Sequence, residues 1–267
     1  MDTARLNAKT AGYEQGTGLR ERIALITGAG SGIGLALVDQ LLMDEDCSVV
    51  FAASRRPELS AALRERASED PRLQPLKMDI TSKDSIRAAI DTVRRCDRVD
   101  LVINTAGVLH TPGGMRPEKR LTDIDFDDVM LAFDVNALGT MRLAVELEPL
   151  LRASDAPRFA TLSARIGSIS DNQLGGWYSY RATKAALNML MRTLAIEWER
   201  TMPQLVCAAL HPGTVSTALS APYASNKRKR QIFTPAEAAG NLLGVLDNLE
   251  PEHNGGFYAW DGSEVPW

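Results

Sequence analysis

The chain has 267 residues, 45% of them hydrophobic and 24% charged, which is typical of a globular protein with one large or two small domains. Its formal net charge of −4 gives no overall attraction to nucleic acid, and no apolar run is long enough to span a membrane. Three scattered cysteines and three dispersed histidines form neither a disulfide framework nor a metal site, which favours a reducing, cytoplasmic setting without a metal.

The predicted elements begin after a polar segment. Residues 1–20 lack the apolar core of a signal peptide, so we expect a flexible leader there. From Glu21 onward, apolar and β-branched runs alternate with amphipathic stretches. The runs predict strands at 23–27, 47–53, 73–78, 99–104, 158–163, 205–211 and 256–260. The stretches between them predict helices near 32–43, 57–68, 82–95, 123–152, 176–201 and 234–249.

This alternation predicts a parallel sheet that helices cover on both faces. With no linker or repeat in the sequence, we expect one α/β domain over residues 21–267. The expected architecture is a doubly wound (Rossmann) fold with a central parallel sheet of about seven strands. Ligands of such sheets bind beyond the carboxyl ends of the strands. Polar or glycine-rich segments follow five of the predicted strands, and they begin at Ser54, Asp79, Asn104, Ser163 and His211.

A glycine cluster lies between the first predicted strand and the first predicted helix, in Thr27-Gly-Ala-Gly-Ser-Gly-Ile-Gly34. Strand, glycine turn and helix are the context that a dinucleotide-binding loop requires. Glycines allow positive φ and close approach to a pyrophosphate, while the helix N-terminus adds free N–H groups and a partial positive charge. The residues that we expect to contact such a cofactor are Gly28, Gly30, Ser31, Gly32, Ile33 and Gly34.

A second motif is Tyr180-Arg-Ala-Thr-Lys184, at the start of a run with helical apolar spacing. Tyr180 and Lys184 are four residues apart, so they share one helix face. A lysine ammonium near a phenol favours the phenolate, so we expect Lys184 to lower the pKa of Tyr180. Such pairs are common on surface helices. Together with the upstream glycine loop, however, the pair predicts a nicotinamide-dependent oxidoreductase.

These motifs and their order resemble the short-chain dehydrogenase/reductase family over nearly the whole chain. Residues 163–190 and 256–262 resemble carbonyl reductases of the C-factor or sniffer type. The resemblance implies that Tyr180 is the proton donor or acceptor and that Lys184 lowers its pKa and holds the nicotinamide ribose. It implies that Asn136 positions a water that links Lys184 to solvent. In Asn104-Thr-Ala-Gly107, which resembles an element supporting the central sheet, Thr105 replaces the family's second asparagine.

The same resemblance implies a set of cofactor contacts beyond the glycine loop. Asp79 matches an adenine contact, and the segment from Pro212 matches a loop on the nicotinamide side. The implied residues are Asp79, Ile80, Asn104, Ala106, Gly107, Tyr180, Lys184, Pro212, Gly213, Val215 and Thr217.

The chain departs from the family at the substrate-binding serine, which usually stands three residues before a glycine. Counting back from Gly167 gives Ala164, and a serine stands one position earlier, at Ser163. A one-residue shift at the strand end would let Ser163 orient the substrate carbonyl, although a slip also reverses the side-chain face. Ser168, Ser170 or no serine at all are the alternatives, and Ser163 then simply caps the strand.

Cofactor choice follows from the charge after the second predicted strand. NAD-preferring folds place an acidic side chain near the ribose 2′-hydroxyl, and an arginine accommodates a 2′-phosphate. Here Ser54 occupies the usual acidic position, and Arg55 is able to form paired, charge-assisted bonds to a phosphate. The sequence therefore predicts NADP(H) as the preferred cofactor, with NAD(H) possible. If Arg55 and Arg56 are only solvated loop charges, this preference disappears.

The sequence thus predicts an NADPH-dependent carbonyl reductase, or the reverse alcohol dehydrogenase, acting on a small molecule. Two other classes stay open: a cofactor-binding signalling or regulatory protein with little turnover, and an interaction protein that does not use its site. Intact Tyr180, Lys184 and Asn136 favour the enzyme. The basic run at 227–230 predicts a solvated loop, and the segment 218–233 is expected to cover the substrate.

The long predicted helices at 123–152 and 176–201 bear on assembly. Both carry apolar residues on more than one face, and a sheet covers only one side of such a helix. We therefore expect a homodimer or homotetramer built through these helices, as the family resemblance also implies. The alternative is a monomer, in which the polar residues Glu146, Arg192 and Glu199 keep the outer faces of these helices in water.

Overall fold

A computed structural model of the protein describes residues 21–226 and 231–267. The predicted leader at 1–20 and the basic run at 227–230 lie outside the described residues.

Seven parallel strands form the central sheet, in the order β3-β2-β1-β4-β5-β6-β9. A two-stranded parallel sheet, β7-β8, lies apart from it. The strand order reverses between β1 and β4, as it does in a doubly wound sheet, which confirms the predicted fold. The strands are β1 (Arg22–Thr27), β2 (Cys47–Ser54), β3 (Leu73–Lys77), β4 (Leu101–Asn104), β5 (Arg158–Leu162), β6 (Val206–His211), β7 (Thr214–Val215), β8 (Ile232–Phe233) and β9 (Phe257–Ala259).

Helices cover both faces of the sheet. They are α1 (Gly32–Met43), α2 (Ala61–Glu69), α3 (Lys83–Val93), α4 (Phe126–Phe133), α5 (Gly139–Arg152), α6 (Tyr178–Glu199) and α7 (Pro235–Asp247). The predicted long helix at 123–152 is divided, because a π-helical turn at Asp134–Leu138 joins α4 to α5. Among the helices of the two described ranges, none combines the length and apolar character needed to cross a membrane.

The core consists of two layers, one on each face of the sheet. Successive residues of a strand point to opposite faces, so Leu25 packs in one layer and Ile26 in the other. The first layer includes Leu147 of α5 and Leu187 of α6. The second includes Leu37 of α1 and Leu242 and Leu246 of α7. Burial on both faces explains why the strands read as continuous apolar runs, and it directs ligands to the carboxyl ends of the strands.

Candidate active site

The glycine loop connects the end of β1 to the start of α1. Gly28 and Gly32 have φ of +68° and +58°, a backbone region that favours glycine. A Cβ on Gly28 would lie 2.6 Å from Thr105 Oγ1, and one on Gly34 would lie 2.5 Å from the carbonyl oxygen of Gly28. The loop therefore packs too tightly for any other residue at these two positions. Ser31 forms no side-chain cap on α1, which leaves the amide groups of this helix end available to an anion.

Ser60 fixes the loop from the neighbouring segment. Its hydroxyl donates to the carbonyl oxygen of Gly30 at 3.1 Å and accepts from the amide of Leu63, so that it also caps α2. The sequence carries a signal for this capping role, because a serine directly precedes a helical run. Its contact with Gly30 joins segments thirty residues apart, and no local pattern predicts it.

The end of β2 offers polar groups beside the glycine loop. Ser54 Oγ is buried and finds no hydrogen-bond partner among the described residues, and a Cβ on Gly30 would lie 3.4 Å from Ser54 Cβ. A buried hydroxyl without a partner is unusual and fits a ligand oxygen at this position. Arg55 follows at the exposed surface. These residues and the close-packed glycine loop fit a dinucleotide.

Asp79 lies after β3, where its carboxylate accepts hydrogen bonds from the amide and hydroxyl of Thr81 at 2.9 and 2.7 Å. Burial tends to raise the pKa of Asp79, but the Thr81 hydrogen bonds and the charge of Arg55 outweigh it and lower the pKa below its usual value. Ile80 is buried and packs against Gly139, where a Cβ would lie 2.6 Å from Ile80 Cγ1. Asp79 is therefore a fixed carboxylate at this edge.

Asn104 joins the central strands at their carboxyl ends. Its Oδ1 accepts from Thr27 Oγ1 and from the amide of Ala106 (3.1 Å), and its Nδ2 donates to Thr140 Oγ1 at 2.7 Å. Thr105, which replaces the family's second asparagine, donates through Oγ1 to the carbonyl oxygen of Thr27 at 2.6 Å. This bond links the residue that follows β4 to the last residue of β1.

Asn136 lies in the π-helical turn, next to α6. Its Oδ1 accepts from the amide of Val108 at 2.7 Å, and its Nδ2 donates to the Val108 carbonyl (2.8 Å) and to Thr183 Oγ1 (3.3 Å). A Cβ on Gly107 would lie 3.4 Å from Asn136 Oδ1 and 4.0 Å from Lys184 Nζ. Asn136 and Lys184 therefore both lie close to Gly107.

Tyr180 and Lys184 lie on one face of α6. Lys184 is 3% exposed, and its Nζ donates to the carbonyl oxygen of Leu162 at 2.8 Å. Burial raises the pKa of Tyr180 to about 12 and lowers the pKa of Lys184 to about 8. The predicted lowering of the Tyr180 pKa by Lys184 is wrong in this structure, because burial dominates and the ammonium donates to β5.

The loop after β6 returns to the glycine loop. Pro212 precedes Gly213, whose φ is +76° and whose Cβ would lie 2.8 Å from Phe233 Cε2. Val215 in β7 is buried. At Thr217, the side-chain Cγ2 lies 3.3 Å from where a Cβ on Gly32 would be. Two segments far apart in the sequence thus come together at the glycine loop.

The pairing of β5 with β6 shows no register irregularity at the strand end before Ser163. β5 pairs in register with β6 through Leu162 and Leu210, and the Ser163 amide continues the ladder to Leu210 O at 2.8 Å. Ala164 is also extended (φ −149°, ψ 142°), so Ser163 and Ala164 point to opposite faces. The buried hydroxyl of Ser163 donates to Asn188 Oδ1 at 2.6 Å.

The other two candidate serines bind the end of the chain. The hydroxyls of Ser168 and Ser170 donate to the carbonyl oxygen of Trp267 at 3.2 and 2.7 Å. All three candidate hydroxyls are therefore hydrogen-bonded within the protein.

A clamp that the motifs do not predict holds the start of α6. The Glu118 carboxylate accepts from the amide of Ser179 (3.2 Å) and from its hydroxyl, and the Glu118 carbonyl accepts from the amide of Trp177 at 2.5 Å. A carboxylate at a helix N-terminus is favourable. This contact joins positions 61 residues apart, so no local signal in the sequence identifies Glu118.

The fold, the glycine loop and the Tyr–Lys pair at the carboxyl ends of the strands are those of a dinucleotide-binding oxidoreductase. Within the part of the chain that the structure describes, no three His, Cys, Asp or Glu side chains gather as a metal site. Residues 22–228 match the sequence profile of the family described as short chain dehydrogenase. The chain therefore belongs to this family of oxidoreductases, which bind a nicotinamide cofactor.

Individual relatives agree with the predicted resemblance. C-signal of Myxococcus xanthus is 38% identical over 170 residues, which make up 63% of this chain and 93% of that protein. The NADPH-bound carbonyl reductase from chicken fatty liver is 30% identical, with a TM-score of 0.82, over 93% of this chain and 100% of that one. Carbonyl reductase Sniffer of Drosophila melanogaster is 25% identical, with a TM-score of 0.80, over 92% and 99%.

Proposed function

We propose that the protein is an NADPH-dependent carbonyl reductase, working in either direction between a carbonyl compound and an alcohol. The main support for this proposal is that Tyr180, Lys184 and Asn136 lie close together, beside the glycine loop at one edge of the sheet. When bound, the nicotinamide supplies or accepts the hydride, and the protein aligns and polarises the substrate.

In this proposal Tyr180 donates its proton to the carbonyl oxygen. A pKa of about 12 keeps the phenol protonated at neutral pH, which is the form that reduction requires. Lys184, with a pKa of about 8, carries its charge at neutral pH and holds the nicotinamide ribose. Asn136 positions the water that links Lys184 to solvent. These roles of Tyr180, Lys184 and Asn136 stay predictions.

We propose NADP(H) over NAD(H). Ser54 offers a buried hydroxyl without a hydrogen-bond partner among the described residues, and it replaces the acidic group that would repel a 2′-phosphate. Arg55 is exposed beside it and is able to pair with that phosphate. The chicken carbonyl reductase that this chain resembles binds NADPH, which supports the same choice.

The substrate-orienting role of Ser163 stays a prediction. The contacts favour the alternative in which no serine acts, because Ser163, Ser168 and Ser170 all donate their hydroxyl protons within the protein. Ala164 then stands where relatives carry the serine, and Tyr180 provides the hydrogen bond to the carbonyl oxygen.

We also propose a homodimer or homotetramer, because apolar side chains on α5 and α6 reach the surface. Val145 and Met189 are each 68% exposed, and Ile196 is 43% exposed. A two-fold contact between copies would cover them. The predicted reducing, cytoplasmic setting rests on the scattered cysteines and stays a prediction.

A second candidate function is a signalling or regulatory role with little turnover. The 38% identity to C-signal favours it, and so does Ala164 at the serine position. One experiment separates the candidates: NADPH oxidation by the purified full chain is followed with a panel of aldehydes, ketones and quinones. Turnover with any of them supports the reductase. NADPH binding by calorimetry without turnover supports the regulatory role, and neither binding nor turnover contradicts both.

A further inference from the structure

Three aromatic rings form a row that starts beside the proposed proton donor. The rings of Trp177 and Tyr180 lie edge to face, 6.3 Å apart between centroids. Tyr223 follows at 5.1 Å from Trp177, and His110 at 5.9 Å from Tyr223, both again edge to face. We call Trp177, Tyr223 and His110 the aromatic row. The row begins next to Tyr180, and the proposed mechanism does not use it.

The position of Trp177 is imposed by its surroundings. Its backbone is left-handed, with φ 54° and ψ 45°, a region that a bulky residue rarely adopts. Glu118 holds it through the 2.5 Å bond from the Trp177 amide. Arg181 holds the preceding turn through bonds to the carbonyl oxygens of Gly176 and Gly175 at 2.9 and 3.1 Å. A non-glycine residue kept in this conformation beside a catalytic group points to a functional reason.

The middle of the row carries a polar group that needs a partner. The hydroxyl of Tyr223 is buried and finds no hydrogen-bond partner among the described residues. Buried hydroxyls are nearly always paired, so an unpaired one needs an explanation. His110 is fixed separately, since its Nε2 lies 3.3 Å from the carbonyl oxygen of Ala218. The Tyr223 hydroxyl is therefore a buried donor that no described residue uses.

We propose that the aromatic row is a substrate subsite for aryl aldehydes and aryl ketones that carry a hydrogen-bond acceptor on the far side of the ring. The inference rests on the proposed reductase function. A para-substituted aryl ring carries two polar groups, and the rings of Tyr180 and Tyr223 both contact the ring of Trp177. The carbonyl then meets Tyr180, the ring packs against Trp177, and the acceptor receives the proton of the Tyr223 hydroxyl.

The ring contact is tested with benzaldehyde and cyclohexanecarbaldehyde, which have similar size. The preference is the ratio of their kcat/KM values, and comparing this ratio between variants cancels their different intrinsic reactivities. Trp177→Leu should lower the ratio about threefold to tenfold, the range of one aromatic contact. Trp177→Phe should keep most of it. Circular dichroism and thermal melting establish that both variants fold.

The polar contact is tested with methyl 4-formylbenzoate and 4-propylbenzaldehyde, one with and one without an acceptor. Tyr223→Phe removes only the hydroxyl, and it should lower the ratio of their kcat/KM values about fivefold, the typical effect of one neutral hydrogen bond. Tyr178→Phe is the matched control, because Tyr178 is exposed and outside the row. It should leave the ratio unchanged.

A binding measurement keeps this inference separate from the proposed function. Benzamide and cyclohexanecarboxamide are not reduced by hydride transfer of this kind, and calorimetry on the NADPH-loaded protein compares their affinities. Tighter binding of benzamide, lost in Trp177→Leu, supports the subsite even if no aldehyde is turned over. Equal binding of the two amides, or ratios that Trp177→Leu and Tyr223→Phe leave unchanged, overturns the subsite while aldehyde turnover still supports the reductase.

Discussion

Lys184 Nζ lies 5.8 Å from the centre of the Tyr180 ring and donates its hydrogen bond to the carbonyl oxygen of Leu162. The lysine is therefore anchored to β5 rather than to the phenol. This bond ties α6 to the carboxyl end of β5, so that Tyr180 and Lys184, which lie one helical turn apart, are held together at this edge of the sheet.

Tyr180→Phe should remove the proton donor and leave the ring in place. We expect kcat for carbonyl reduction to fall about 10²- to 10⁴-fold, the usual contribution of a general acid. NADPH affinity, measured by calorimetry, should change little, and Tyr178→Phe should behave as the native protein. Near-normal reduction by Tyr180→Phe would mean that another group donates the proton.

The pH dependence of reduction should report Lys184. Its pKa is lowered to about 8 by burial, so its charge is present below that pH and lost as the pH rises through it. Tyr180, with a pKa of about 12, stays protonated throughout this range. We expect kcat/KM, measured from pH 6 to 10, to be level at low pH and to decline above about 8. Lys184→Arg keeps the charge and should abolish the decline, whereas a level native profile up to pH 10 contradicts this assignment.

The Tyr–Lys pair and the glycine loop were predictable because each is a short sequence motif. In both, the spacing between residues determines which groups come together. Strand positions were also predictable, since burial on both faces leaves uninterrupted apolar runs. The π-helical turn at Asp134–Leu138 was not, because Asn136 in this turn bonds to Val108 and Thr183 in other segments. The two-residue strands β7 and β8 are too short to carry an alternating pattern.

Site residues that distant partners hold in place could not be predicted from the sequence either. Glu118 clamps the start of α6 from a loop with no recognisable motif, and the left-handed backbone of Trp177 depends on that clamp. The direction in which Ser163 points depends on the register of β5 against β6, and a single sequence contains no signal that fixes it.

The serine position makes a gain of function testable. If no serine acts, Ser163→Ala should change kcat/KM by less than about threefold. The variant also loses the hydrogen bond to Asn188 Oδ1, which lowers the stability of the fold. Ala164→Ser would restore a hydroxyl on the opposite face, and we expect it to raise kcat/KM by about tenfold or more, since an oxyanion donor contributes roughly 10²- to 10³-fold in favourable cases. A large loss in Ser163→Ala, with normal activity in Ser168→Ala and Ser170→Ala, would instead assign the role to Ser163.

Cofactor preference should depend on Arg55. Arg55→Ala removes a charge-assisted bond to the 2′-phosphate, which is worth about 1.5–3 kcal/mol. NADPH affinity should therefore fall roughly tenfold or more while NADH affinity stays the same. Calorimetry with both cofactors measures this, and Arg56→Ala provides a neighbouring exposed arginine as the control. Equal affinity of the native protein for NADPH and NADH would contradict the predicted preference.

Assembly should depend on the apolar surface of α5 and α6. Val145 and Met189 are each 68% exposed, and a contact between copies would remove both from water. Light scattering at micromolar concentration should give at least twice the chain mass of 29.1 kDa. Met189→Glu places a charge in that contact and should shift the mass toward the monomer, because an unpaired charge is costly to bury.

Met43→Glu is the matched control, since Met43 is 75% exposed on α1 and lies outside the proposed contact. A native mass near that of a single chain at every concentration contradicts the proposed oligomer, and equal behaviour of Met189→Glu and Met43→Glu would place the contact elsewhere.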